Sequence, residues 1–420
     1  METEEFRYYV GIDWATEEHQ VCLIDPRRNV LEERKVKHSG TAITELADIL
    51  AKLGDPASTA VSIETPRGAV VEMLMERGFA VFHINPKQLD RFRDRHTIAG
   101  AKDDRRDAFV LADSLRTDTH LFRRVRADEH DIVVLRELVR ADDDLAKEHN
   151  GLTNRLREQL LRFFPQVMEV CPSVDEPWVW ELLTLVPTPA AAAKVTSKRI
   201  AAVLTAHRIR RVDATTLLTV LRQPPLLVTE GATRAAVAHI ELLLPRLRLV
   251  ATQRKGVERS VKALLAALAE KEPPAGQESE HRDVTVLLSL PGVGWKVAAT
   301  MLVEASQALV TRDYPALRSL TGVAPVNKQT GKNKRGRAEM RRAANNRLRN
   351  AVYHWSRVAS QTDEGTRAQY RALRAKGHSH GRALRSVGDR NLRLLVALLR
   401  TGSLYDPNRP RNAGHDAAAA

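Results

Sequence analysis

The sequence predicts an α/β domain with a mixed sheet at its start, a long helical middle, and a mainly α-helical C-terminal domain. Three observations predict it. Short β-rich runs alternate with helical patterns over roughly the first 110 residues. Two long apolar stripes follow at near-heptad spacing, and shorter helical periodicities surround glycine and proline breaks toward the end. The 420 residues exceed one typical domain, and a 43% hydrophobic content is enough to bury cores in two or three.

Tyr8-Tyr9-Val10-Gly11-Ile12 and Val21-Cys22-Leu23-Ile24 read as strands joined in a hairpin, Ala60 to Ile63 and Val81 to Ile84 as two further short buried strands. Between them Ile43 to Leu53 and Val70 to Arg77 carry helical periodicity, which gives the α/β alternation. In the middle, Leu135, Leu138, Leu145, Leu152, Leu156 and Leu160 form one stripe, and Val237 through Leu268 a second. Two such stripes suit pairing, as a coiled coil or as ordinary bundle helices. Pro187-Thr188-Pro189 and Pro224-Pro225 break this region, and Pro273 to Gln277 is its clearest linker. Helices are expected at Val284 to Leu290, Trp295 to Glu304, Glu339 to Ser360 and Arg382 to Thr401. The expected division is 1–125, 126–275, 283–405 and a disordered tail, 406–420.

The formal net charge is +14, and its distribution is uneven. From Gly331 to Arg400 there are 18 Lys and Arg against four acids, an excess equal to that of the whole chain. Such a block suits contact with a phosphate backbone. Aromatic residues at 5% argue against base stacking as the main mode of binding. Cys22 and Cys171 lie far apart, which argues against a disulfide framework or zinc finger. The acidic, polar start and the lack of a long apolar run predict a cytoplasmic protein of a bacterial cell, with no membrane partner.

Carboxylates supply the candidate chemistry. Asp13 leaves the first strand, Glu64 ends another, and Asp104 and Asp107 sit three apart on one face of a helical pattern. Hard oxygen donors of this kind hold Mg²⁺, and such ions stabilise the attacking and leaving oxygens of phosphoryl transfer. Asp103 shares the helical face with Asp107 at a spacing of four, so spacing alone leaves it open as an alternative to Asp104.

Gly11-Ile12-Asp13, Glu64 and Asp104-Arg105-Arg106-Asp107-Ala108 resemble the Asp-Glu-Asp-Asp motif of the insertion-sequence-110 transposases and the related pilin-gene invertases. Asn85-Pro86 to Arg93 and Gly100-Ala101-Lys102 are also similar to theirs. So are Leu290-Pro291-Gly292-Val293-Gly294, Thr321-Gly322-Val323-Ala324-Pro325 and Arg347-Leu348-Arg349-Asn350-Ala351. The resemblance implies an RNase H-like (RuvC-like) N-terminal domain, a coiled-coil middle and a helical C-terminal transposase domain. It also implies Mg²⁺-dependent DNA cleavage and joining, a homo-oligomer (dimer or tetramer), and, as in some members, a structured guide RNA from the element. The family's C-terminal serine nucleophile falls in a Ser-Gly pair. Here the matching pair is Thr330-Gly331, so the resemblance assigns Thr330 that role. Its β-branch crowds the attacking oxygen. A RuvC-like nuclease or resolvase using water, and a decayed DNA-binding transposase, are the alternatives.

Two further features bear on nucleic acid. Pro291 to Gly294 between two helices resembles a helix-hairpin-helix turn, in which Gly292 and Gly294 allow close backbone approach to phosphate. Lys332, Lys334, Arg335, Arg337, Arg341 and Arg342 follow Thr330 directly and are the candidate phosphate contacts.

Overall fold

The computed structural model describes residues 6–84, 86–96, 103–125, 130–270, 282–330 and 333–407. The expected linker from Pro273 and most of the expected tail lie outside these residues. The chain divides into two units, Met1–Asp128 and Glu129–Ala420.

The first unit is a six-stranded mixed sheet between helices. Its elements are β1 (Tyr8–Asp13), β2 (Glu18–Ile24), β3 (Val30–Lys37), α1 (Gly40–Ala51), β4 (Thr59–Ile63), α2 (Ala69–Glu76), β5 (Ala80–His83), α3 (Pro86–His96), α4 (Asp104–Asp118) and β6 (Arg123–Arg124). The strand order is β3-β2-β1-β4-β5-β6, with β1, β4 and β5 parallel and the flanking pairs antiparallel. The period-2 alternation of strands sorts the core. Val10, Ile12, Val61, Ile63 and Val81 face α1 and α2, whose Ile43, Leu46, Leu50, Val70 and Leu74 complete one layer. Tyr9, Cys22, Ala60, Ala80 and Phe82 face α3 and α4 through Leu89, Phe92, Ala108, Leu111 and Leu115.

β3 was not expected from the sequence. Val30 and Leu31 are exposed and the strand is otherwise mostly charged, as suits a sheet edge.

The second unit is mostly helical. Long α5 (His130–Phe163) leads through α6 (Gln166–Val170), α7 (Pro177–Leu185), α8 (Pro189–Lys194), α9 (Ser197–Ala206) and α10 (Ala214–Leu221) to long α11 (Glu230–Glu270). The two stripes pair with each other, antiparallel. The start of α5 and the end of α11 share one core through Leu135, Val139, Val261 and Leu265. The end of α5 and the start of α11 share another through Leu156, Leu160, Ile240 and Leu244, closed by α6–α10.

The chain then continues through α12 (Asp283–Ser289), α13 (Trp295–Glu304), α14 (Ser306–Val310), α15 (Tyr314–Thr321), β7 (Pro325–Thr330), β8 (Asn333–Met340), α16 (Asn346–Thr362), α17 (Glu364–Ala375) and α18 (His380–Thr401). The helix expected from Glu339 begins at Asn346 instead, capped by the Asn345 side chain. Residues 339–340 belong to β8, which pairs antiparallel with β7. This hairpin was not expected from the sequence, and only its last two residues overlap the expected helix. Ion pairs fix α5 to the C-terminal helices. Asp142, 1% exposed, meets Arg254 at 3.1 Å and is also paired with Lys296, and Asp143 meets Lys296 and Arg347, both at 3.0 Å. Among the described residues no helix is long and apolar enough to cross a membrane.

Candidate active site

Three carboxylate-bearing elements converge at one end of the first unit's sheet because of local geometry. In β1, Tyr9, Gly11 and Asp13 share the face covered by α4. A Cβ on Gly11 would lie 1.9 Å from the Ala108 carbonyl oxygen and 2.6 Å from the Ala112 nitrogen, so helix and strand touch backbone to backbone there. One helical turn before Ala108 is Asp104, and two residues beyond Gly11 is Asp13, so the two carboxylates meet past the contact. The parallel register pairs Ile12 with Ile63, and its next step sets Glu64 beside Asp13.

Asp13, Glu64 and Asp104 line a cleft of about 350 Å³ together with Trp14, His19, Lys35 and Arg93. Asp107 lies beneath it, 3% exposed. The carboxylates sense one another. Burial, then the charges of Asp107, Asp104 and Glu64, push the Asp13 carboxyl up to about 6, with Arg93 opposing. Asp103 is separated from this group by its own role. It is the N-cap of α4, and its carboxylate accepts from the Arg105 backbone N–H at 3.2 Å.

Arg93 closes the Asn85-Pro86 to Arg93 run that resembles the family, but no role of its own was read from the sequence. Its Nε and Nη2 donate to the two oxygens of Asp107, each at 2.8 Å, and its Nη1 donates to Asp90 at 2.7 Å. Glu64 is 3.7 Å away. His19 was also missed. It is buried, its Nδ1 accepts from the Ala15 backbone N–H at 3.3 Å, and its Nε2 lies 2.9 Å from His38 Nδ1. Burial, and His38 beside it, hold His19 below the ordinary histidine range. Trp14 stacks on it at the cleft lip.

The donor set fits a hard divalent cation: all oxygen, with the negative excess that Asp13's raised carboxyl registers. No three of the four carboxylates bring oxygens within 4.8 Å of one another, and Arg93 takes both oxygens of Asp107. Among the described residues the group that does meet that spacing is Cys171, Asp175 and Glu176, in the second unit. There Glu176 is already paired with Arg211 at 2.6 Å and the Trp178 indole N–H at 2.9 Å.

In the second unit Thr330 ends β7 at the tip of the hairpin, paired with Asn333 across it. Lys334, Arg335 and Arg337 lie on β8, Lys332 falls outside the described residues, and the side chains of 327–338 are likewise not described. Arg341 is half-buried and bonds the Ala343 carbonyl, and Arg342 is exposed. Arg349 braces this segment, donating to the carbonyls of Arg341 at 3.0 Å and Arg342 at 3.1 Å.

The turn between α12 and α13 has two different glycines. Gly292, at φ +80°, faces α16, where a Cβ would lie 2.6 Å from the Ala359 nitrogen, and the Trp355 indole donates to the Pro291 carbonyl at 3.0 Å. Gly292 therefore serves helix packing. Gly294, the N-cap of α13, faces open space.

Two family models match the sequence. One, of the DEDD type named for IS110 and described as a transposase, covers residues 10–165. The other, described as the transposase IS116/IS110/IS902 family, covers residues 284–371. The Streptomyces coelicolor mini-circle transposase named for IS117 is 32% identical over 422 aligned positions, 96% of each chain. The Sinorhizobium fredii protein named as transposase y4uE is 47% identical over 217 residues, 50% of this chain and 60% of that one. The S. coelicolor insertion element IS110 43.6 kDa protein is 27% identical over the full length of both.

Proposed function

Since the chain belongs to the IS110 family of insertion-element transposases, we propose that it cuts and rejoins DNA through a divalent-metal site in the first unit and a hydroxyl nucleophile in the second. The observation that carries this is the convergence of Asp13, Glu64 and Asp104 on one cleft, with Asp107 beneath it. Asp13, Glu64, Asp104 and Asp107 are the residues that would hold the metal, with Mg²⁺ the cation their all-oxygen set suits. Bound there, it neutralises charge on the phosphoryl group and lowers the pKa of an attacking hydroxyl. The mixed sheet with helices on both faces supports an RNase H-like reading of the unit.

Thr330 is the nucleophile in this reading. Its Oγ1 bonds to phosphorus as a bridging P–O bond of the DNA breaks, the leaving oxygen takes up a proton, and a phosphothreonine link remains. A hairpin tip suits presentation of one hydroxyl into a substrate. The basic block from Gly331 to Arg400 supports binding of DNA phosphates, and of a structured guide RNA from the element. Joining two DNA sites calls for a homo-oligomer, dimer or tetramer, in the bacterial cytoplasm where the element resides.

The test incubates protein, Mg²⁺ and DNA spanning the element's ends, with any RNA transcribed there, and looks for a denaturant-resistant protein–DNA species. Thr330→Ala should abolish the adduct and Asp13→Asn should abolish all processing. Continued strand cutting by Thr330→Ala, without an adduct in the parent protein, would identify a water-using nuclease instead.

A further inference from the structure

Two cations line the acidic cleft, and they are held differently. Lys35 lies on its rim, 4.0 Å from Glu18. Arg93 reaches inward, with a two-pronged contact to Asp107, a third bond to Asp90, and Glu64 at 3.7 Å. It thus bonds one of the four proposed metal ligands and pairs with a second. A carboxylate as buried as Asp107 is costly without a partner, and the forked guanidinium contact is among the stronger ways to supply one. The same lone pairs are those a divalent ion requires.

We infer that Arg93 is a surrogate cation: it holds Asp107 and Glu64 while the site lacks metal, gives them up when a divalent ion binds, and passes to a phosphate of the DNA strand in the cleft. The inference rests on the proposed metal role of these carboxylates and adds a competitor to it. Metal and guanidinium exclude each other at Asp107, so the Arg93–Asp107 pair lowers the metal's affinity by the free energy of that pair. A guanidinium fork matches two phosphate oxygens as well as two carboxylate oxygens. DNA therefore offers Arg93 a second partner, and metal and DNA reinforce each other's binding through this one side chain. The protein meets metal weakly when alone and strongly when DNA is in place. Arg93 is in this sense a positioning residue, and a plain clamp between α3 and α4 would behave in the opposite way. Its loss would loosen Asp107 and weaken the metal site.

Calorimetric titration of the full chain with Mn²⁺ separates the two, first alone and then with a short DNA duplex of arbitrary sequence at low salt. Arg93→Gln should bind Mn²⁺ about 5- to 150-fold more tightly than the parent protein without DNA, the usual span of such couplings. The duplex should tighten Mn²⁺ binding by the parent protein and leave Arg93→Gln unchanged. Arg93→Lys keeps the charge without the fork and should lie between; it carries the test if the glutamine variant does not fold. Equal or weaker Mn²⁺ binding by the variants overturns the inference. Asp13→Asn isolates the underlying reading: it should lose Mn²⁺ binding, and if no protein of the set binds Mn²⁺, the metal reading fails and Arg93's role with it.

Discussion

Asp13 is pulled in two directions, because it must be ionised to act as a ligand while burial and three neighbouring carboxylates oppose its ionisation. Its carboxyl is pushed up from the ordinary 3.8 to about 6. The folded protein then holds this proton more tightly than the unfolded chain, so the site destabilises the fold increasingly as pH rises from about 4 to 6. Asp13→Asn should remove that decline and raise the melting temperature of the metal-free protein above pH 6, at the expense of DNA processing. Thermal melts from pH 4 to 8 with chelator present check this, and parallel pH curves for the two proteins would count against it. At this scale the sequence was legible where spacing had a single structural meaning. Asp13 and Glu64 followed from strand ends, whereas Asp103 and Asp104 could be separated only by cap geometry. Arg93 stood at the end of a run that resembles the family, but its role was not legible, because its partners come from the packing of α3 on α4 and from the end of β4.

The contact of α4 on β1 sets the relation between Asp13 and the Asp104–Asp107 pair, and Gly11 permits it. Gly11→Ala would drive a methyl group into the backbone of Ala108 and Ala112, which cannot rotate aside. The expected cost is about 3 kcal/mol, read by urea denaturation. Cleavage should fall further than the loss of folded protein explains, since α4 must shift from the strand that carries Asp13. Elements with a long or strongly patterned buried face were readable: β1, β2, β4 and β5 from their apolar runs, and α5 and α11 from their stripes, while short α9, α10 and α15 were not. Nor were those without such a face. The charged edge strand β3 and the polar hairpin β7–β8 offer no apolar alternation to read.

For the whole molecule, the excess of positive charge resides in the last part of the second unit, where Arg371, Arg374, Lys376 and Arg382 are exposed on or beside α17 and α18. DNA affinity should therefore drop about a thousandfold or more between 50 and 200 mM salt, whatever the sequence. The double substitution Arg371→Ala and Arg382→Ala should flatten the plot of log affinity against log salt by about two units, one per lost phosphate contact. Fluorescence anisotropy at several salt concentrations measures it, and an unchanged slope would move the DNA-binding face to another surface. The sequence located this charge but not the fold that displays it. Many of the block's arginines are spent on internal contacts, such as Arg347 with Asp143 and Arg349 with main-chain carbonyls.

The antiparallel pairing of α5 and α11 has a consequence for how such a chain tolerates change. Residues 164–229 leave at one end of the helix pair and return at the same end, as an excursion whose apolar side chains pack on that end of the pair alone. Insertions or deletions within that excursion leave the opposite end of the pair, with its ion pairs to α13 and α16, in register. Changes of length can therefore collect there without disturbing the far end of the helix pair, and the excursion acts as an expansion joint.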